Sequence, residues 1–135
     1  MALQASVSVR NARADAVETA IGASAVLKIR TGAQPADCAT ADSGTVLATL
    51  SLPSDWMDAA SSGAKAKAGT WQDTSADASG TAAHFRVYAS DGTTCHLQGS
   101  VTVTGGGGDL QLDNTSINAG QAVTISSFGW TEPNS

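Results

Sequence analysis

The sequence predicts a mainly β protein: an antiparallel β-sandwich or small β-barrel with one short N-terminal helix, in a single domain over residues 1–135. Three observations predict it. Large apolar residues recur with a period of two in short runs. Turn formers punctuate the chain at the spacing of roughly 8–12 residues seen in sandwiches and barrels. Only one segment carries apolar residues at helical spacing.

Residues 2–9, "ALQASVSV", alternate Leu3, Ala5, Val7 and Val9 with polar neighbours, so 1–10 reads as a strand or an extended arm. In "NARADAVETAIGAS", Asn11 is the expected N-cap and Gly22 the C-cap. Ala14, Val17, Ala20 and Ile21 form the apolar face. "AVLKIRT" (25–31) is a strand with Val26, Lys28 and Arg30 on one side and Leu27 and Ile29 on the other. "GAQPADCATADSG" (32–44) is a long loop of proline, glycine and Asx-turn residues. "TVLATLSL" (45–52) is a strand stopped by Pro53. Residues 54–63 read as one helical turn or an irregular loop pinned by Trp56. Residues 64–69, "AKAKAG", read as an exposed edge strand whose lysines discourage stray pairing. Residues 70–80 read as a polar loop hung on Trp71.

In "AHFRVYA" (83–89), Phe85, Val87 and Ala89 face one way and His84, Arg86 and Tyr88 the other. "SDGT" (90–93) is a hairpin turn, because Asp-Gly tolerates the positive φ that tight hairpins demand. "CHLQGSVTV" (95–103) returns with Cys95, Leu97, Val101 and Val103 on one face. "TGGGGDL" reads as a flexible joint. "LQLD" (110–113) and "QAVTISSF" (121–128) suggest a second hairpin, and "GWTEPNS" (129–135) a polar tail with one tryptophan.

The core implied by this reading is thin. Alanine occurs 25 times, against 23 residues of Val, Ile, Leu and Phe combined. A thin core gains from association, either with copies of itself or with a partner. Net charge is −5, and the seven basic residues, at 10, 13, 28, 30, 65, 67 and 86, make no stripe in the sequence. Nucleic acid is therefore not an expected partner. No early positive charge precedes an apolar segment, and no run approaches membrane-spanning length, so synthesis in the cytosol and no membrane partner are expected.

The chemistry-bearing residues are sparse. His96 alternates away from Cys95, and His84 lies too far along the partner strand for a Cys–His pair. The reading makes Cys95 a small buried residue and both histidines surface residues. Cys38, Cys95, His84 and His96 lack zinc-site spacing. "TGGGGD" lacks the Lys-Ser/Thr and the following helix of a phosphate loop. Catalytic, metal and cofactor residues are thus all expected to be none. A disulfide between Cys38 and Cys95 would close a 57-residue span, stabilising by about 3–4 kcal/mol on a chain-entropy model. Cytosolic synthesis argues against it, and later release into an oxidising medium argues for it. Trp56 and Trp71 read first as core plugs. Leu3, Val7, Val9, Trp56 and Trp130 are the interface candidates, Trp130 most strongly, because tryptophan is enriched at interface hot spots.

"LKIRTGAQPADCATADSGTVLATLSLPSDW" and "GTAAHFRVYASDGTTCHLQGSVTVTGGGGDLQLDNTSINAGQAVTISSF" resemble small proteins from the structural-gene region of tailed bacteriophages and prophages. The resemblance covers about residues 25–128 and lies in overall texture and phrase order rather than in a catalytic motif. It implies a virion component, chiefly a capsid decoration (cement) protein. Such a protein would be similar to small jelly rolls or β-tulip barrels and would sit on the shell as a homodimer or homotrimer against the major capsid protein. A tail or fibre domain that binds a host-surface carbohydrate is the alternative expectation.

Overall fold

The computed structural model describes residues 3–132. Its fold is mainly β with one short helix, sandwich- or barrel-like in build, as the periodicity predicts. Helix α1 (Val7–Ile21) begins earlier than the alternation of "ASVSV" suggests. Ser6 is the N-cap, its hydroxyl accepting from the Val9 N–H at 3.2 Å. The expected extended arm therefore stops at Ser6, and Val7 and Val9 are helical. Asn11 caps nothing. Its side-chain oxygen accepts from the Gly63 N–H at 2.8 Å and ties the helix to the turn before β3. The C-cap is Gly22, as expected, with φ 93° and its N–H on the Glu18 carbonyl.

The strands follow as β1 (Val26–Arg30), β2 (Val46–Ser51), β3 (Ala64–Ala66), β4 (Trp71–Asp73), β5 (Gly80–Thr81), β6 (His84–Tyr88), β7 (Cys95–Val103), β8 (Leu110–Leu112), β9 (Ser116–Ile117), β10 (Val123–Ile125) and β11 (Gly129–Thr131). One sheet has the order β2-β1-β6-β7-β8. The short ladders β10-β4, β11-β3 and β5-β9 supply most of the rest. The polar tail expected from residue 129 therefore opens as a strand, and its last residues, 133–135, lie outside the described ones.

The hairpin β6–β7 forms around the Asp-Gly turn with one irregularity. Val87 opposes Leu97 while Tyr88 opposes Cys95, so His96 is the extra residue of a bulge. The bulge turns Cys95 away from the Leu97 face and onto the Tyr88 face, which strict alternation forbids.

The second hairpin does not form. β8 pairs with β7 in parallel, Val101 opposite Leu110, and β10 pairs with β4. Parallel neighbours ordinarily need a crossover of about a dozen residues or more. Here residues 104–109 suffice, because the glycines fold back onto Thr102. A Cβ on Gly106 or Gly108 would meet the Thr102 side chain at 2.8 Å.

Between the inner face of the large sheet and the short ladders lies an aromatic core. Leu27, Ile29, Leu50, Phe85 and Val87 supply the sheet side. Phe128 packs edge-on to Phe85 with centroids 5.5 Å apart and also touches Trp71 at 5.4 Å; Trp71 in turn lies 6.0 Å from Trp56. Each fully buried indole removes on the order of 200 Å² from water, and this compensates for the shortage of large aliphatic residues.

Candidate functional site

The residues singled out from the sequence fall into three groups. Trp56 is the core plug of its first reading, and its burial leaves no surface of it for a partner. It is fully buried, and its Nε1 donates to the Gly22 carbonyl at 2.9 Å, so it joins the helix C-cap to the core. Cys38 and Cys95 form a disulfide with Cα atoms 5.3 Å apart, made possible by the bulge that re-aims Cys95. Leu3, Val7 and Val9 are exposed, Leu3 by 91%, and Trp130 is half-buried in β11.

Val7 and Val9 lie in the first turn of α1, and the next turn is tied to the residue after β11. Arg10 Nε donates to the Glu132 carbonyl at 3.0 Å, and Arg13 lies 3.6 Å from the Glu132 carboxylate. The start of α1 is thereby fastened to the strand that carries Trp130. Gly129 lets β11 pass against β3, because a Cβ there would collide with the Lys65 carbonyl. Lys65, expected on an exposed edge, is buried instead. Its ammonium donates to Asp15 at 2.6 Å and pairs with Glu18 at 2.9 Å. Burial alone would lower its pKa, but these two carboxylates outweigh that and raise it above the ordinary lysine value. The Lys65 hydrogen bond and the Ala60 N–H in turn lower Asp15.

Two concavities flank β11. One, of about 640 Å³, is lined by Asp58, Ser61, Asp109, Gln111 and Trp130 among others. The second, of about 420 Å³, has an apolar wall of Val17, Phe85, Leu97, Phe128 and Trp130, with Asp109 and Glu132 at its margin. The Trp130 ring stands edge-on to Phe128 at 6.2 Å, and its enclosed Nε1 has no hydrogen-bond partner. Apart from the neutralised Lys65, the charged residues lining both hollows are acidic.

A further cluster was not singled out from the sequence. On the outer face of the large sheet, Lys28 opposes Arg86 and Arg30 opposes His84. Residues scattered along the chain thus meet as a two-by-two basic block. His84, expected at the surface, is fully buried, as are Arg86 and Tyr88. The cover is residues 32–44, a strap in which no residue is itself buried. Arg86 holds it most firmly. Its Nη2 donates to the carbonyls of Asp37 and Thr40, both at 2.9 Å, and its Nη1 to Asp42 Oδ1 at 2.8 Å. Asp42 Oδ1 also accepts from the Tyr88 hydroxyl at 2.7 Å, and Oδ2 from Arg30 Nη2 at 3.1 Å. Gln98 reaches the Pro35 carbonyl, and His84 Nδ1 lies 2.9 Å from the Gly32 carbonyl. The disulfide adds a covalent tie.

Burial alone would raise the Asp42 carboxyl; the Tyr88 and Arg86 hydrogen bonds and the Arg30 and Arg86 charges outweigh it and hold the group below the usual carboxylate range. Burial and the hydrogen bond to Asp42 push the Tyr88 phenol up. The only hint in the sequence was that Lys28/Arg30 and His84/Arg86 each sit two apart in a strand. Their meeting depends on the β1–β6 register, which no local pattern encodes.

Among the described residues, no group of three or more His, Cys, Asp or Glu side chains could hold a metal ion, and no helix is long and apolar enough to cross a membrane. No protein-family model matches the chain, and neither a curated protein nor a solved structure matches it.

Proposed function

We propose that this chain is a structural docking protein: a decoration (cement) protein that binds the outside of a tailed phage's major capsid protein lattice as a homodimer or homotrimer and stabilises the shell. The observation that supports the reading best is the set of exposed apolar side chains Leu3, Val7 and Val9 before and in the first turn of α1, together with the two hollows beside β11. Apolar side chains that folding leaves in water gain from being covered by a partner, at about 25 cal/mol per Å² of apolar surface removed. The net charge of −5 suits a neutral or basic protein surface and disfavours nucleic acid. The resemblance of residues 25–128 to tailed-phage structural proteins directs the choice of shell. The reading assigns no catalytic residue, no metal and no cofactor, and it locates the protein on the virion after synthesis in the host cytoplasm.

The test is co-sedimentation of the purified protein with assembled capsids that lack it. Saturable pelleting at a fixed ratio to the major capsid protein is expected. A double variant, Leu3→Asp with Val7→Asp, should lose pelleting while keeping its melting temperature, because both side chains are exposed. A monomer that never pellets with shells overturns the proposal.

A second reading, a tail or fibre domain that binds host-surface carbohydrate, is favoured by one feature. The second hollow pairs aromatic Phe128 and Trp130 with the acceptors Asp109 and Glu132. Rings stack on the apolar faces of sugars, and carboxylates accept their hydroxyls. Binding to host polysaccharide that Trp130→Ala abolishes would support this reading over the first.

A further inference from the structure

We propose that the outer face of β1 and β6 is a binding site for a small phosphate-type dianion, filled in the present state by the strap's own Asp42 carboxylate. Four observations lead there. The first is the convergence of donors. Two guanidiniums and one phenol, from three positions on two strands, point at a single carboxylate. Forked guanidinium donors of this kind match carboxylate and phosphate oxygens.

The second is charge. Arg30 and Arg86 share Asp42, while Lys28 lies over the Tyr88 ring at 5.1 Å. Asp37 adds its charge near Arg86, while its Oδ1 accepts from the Thr40 N–H and hydroxyl, both at 2.9 Å. Asp42 is thus the carboxylate in direct contact with both buried guanidiniums, in a chain of net charge −5. A dianion in its place would set two charges against the guanidinium pair where Asp42 sets one.

The third is an unused donor. Arg30 Nε is enclosed without a hydrogen-bond partner. A buried guanidinium N–H left unpaired is costly. A tetrahedral anion carries more acceptor oxygens than a planar carboxylate and can engage a second donor of Arg30.

The fourth is removability. The Asp42 side chain is 39% exposed, whereas those of Arg30 and Arg86 are 8% and 2% exposed. The carboxylate is the outer member of the cluster, and it rides on a strap with no buried residue of its own. The Cys38–Cys95 disulfide keeps that strap beside Tyr88, so Asp42 competes at the high effective concentration of an intramolecular ligand. Asp42 is in this sense an autoinhibitory group, and a free dianion reaches the arginines only when Asp42 yields.

The probe is inorganic phosphate, read by thermal unfolding against sodium chloride of matched ionic strength. Wild type should show no phosphate-specific shift. Asp42→Ala should gain one that saturates, about 5 °C at ten times the dissociation constant for a domain of this size. Adding Arg30→Gln to Asp42→Ala should remove the gain. Asp42→Asn, which still fills the space, should respond less than Asp42→Ala. If Asp42→Ala lacks a cooperative transition in chloride, its restoration in phosphate supports the site equally. Equal shifts in wild type, Asp42→Ala and the double variant overturn the proposal. So does an unfolded Asp42→Ala that phosphate fails to restore.

Discussion

The two faces of strand β6, at the centre of the five-stranded sheet, are both buried, and they are buried by different physics. The inner face sets Leu27, Ile29, Phe85 and Val87 against Phe128 and the tryptophan pair. The outer face sets Arg30, His84, Arg86 and Tyr88 against a strap of backbone carbonyls, one carboxylate and a disulfide. Apolar burial is non-directional and tolerates small shifts, whereas burial of charge survives only if each donor keeps its partner. The alternation of β6 therefore builds two cores on one strand. Each has its own way of failing, and only the outer one answers to redox state and acid.

The sharpest way to break the inner side is Trp71→Ala. The ring is fully buried and touches both Trp56 and Phe128, so a loss of about 3–5 kcal/mol is expected by denaturant unfolding. Phosphate and redox state should leave that loss unchanged. The corresponding break on the outer side is Cys38→Ser with Cys95→Ser, expected to cost about 3–4 kcal/mol because the bridge closes a 57-residue span. Hydrogen exchange should localise the added opening to residues 32–44 and leave the amides of β1 and β6 that pair inside the sheet protected. Faster exchange spread evenly over the sheet would mean that the strap and the core are one unit.

Acid separates the faces further. The folded pKa of Asp42 lies below its unfolded value, because its hydrogen bonds and the guanidinium charges outweigh burial, and Asp37 is lowered too, chiefly by its Thr40 hydrogen bonds. A depressed carboxylate contributes stability that is complete above the unfolded pKa, about 3.9, and is lost as the pH falls through the folded value. Strap amides should therefore lose protection below about pH 4 before the inner core melts. Asp42→Asn should flatten that acid limb. The mildest change is Lys28→Gln. It removes a cation–π contact at 5.1 Å but also a like charge directly opposite Arg86, so the two effects offset each other to within about 0.5 kcal/mol.

Local physics was legible in the sequence. Period-two runs marked β1, β2, β6 and β7, Asp-Gly marked their hairpin, Gly22 marked the helix end, and "GAQPADCATADSG" read as a loop. Each depends on residues a few positions apart. The helix start was missed because "ASVSV" alternates like a strand, while Ser6 caps through a hydroxyl that alternation does not register. The 110–128 hairpin was misread because β8 and β10 each pair with a strand that sequence proximity does not indicate. Lys65 looked like an edge lysine because its carboxylate partners lie on α1, some fifty residues earlier.

By itself, then, the sequence determined the β-rich class, the thin core and the strand that turns polar side chains one way and apolar ones the other. Tertiary structure alone decided that Cys95 meets Cys38, that Trp130 borders the two hollows, and that four scattered basic residues form one block. The reason is register. Alternation says which side chains share a face of one strand, but only the pairing of strands, with a one-residue bulge to shift it, says which of them meet.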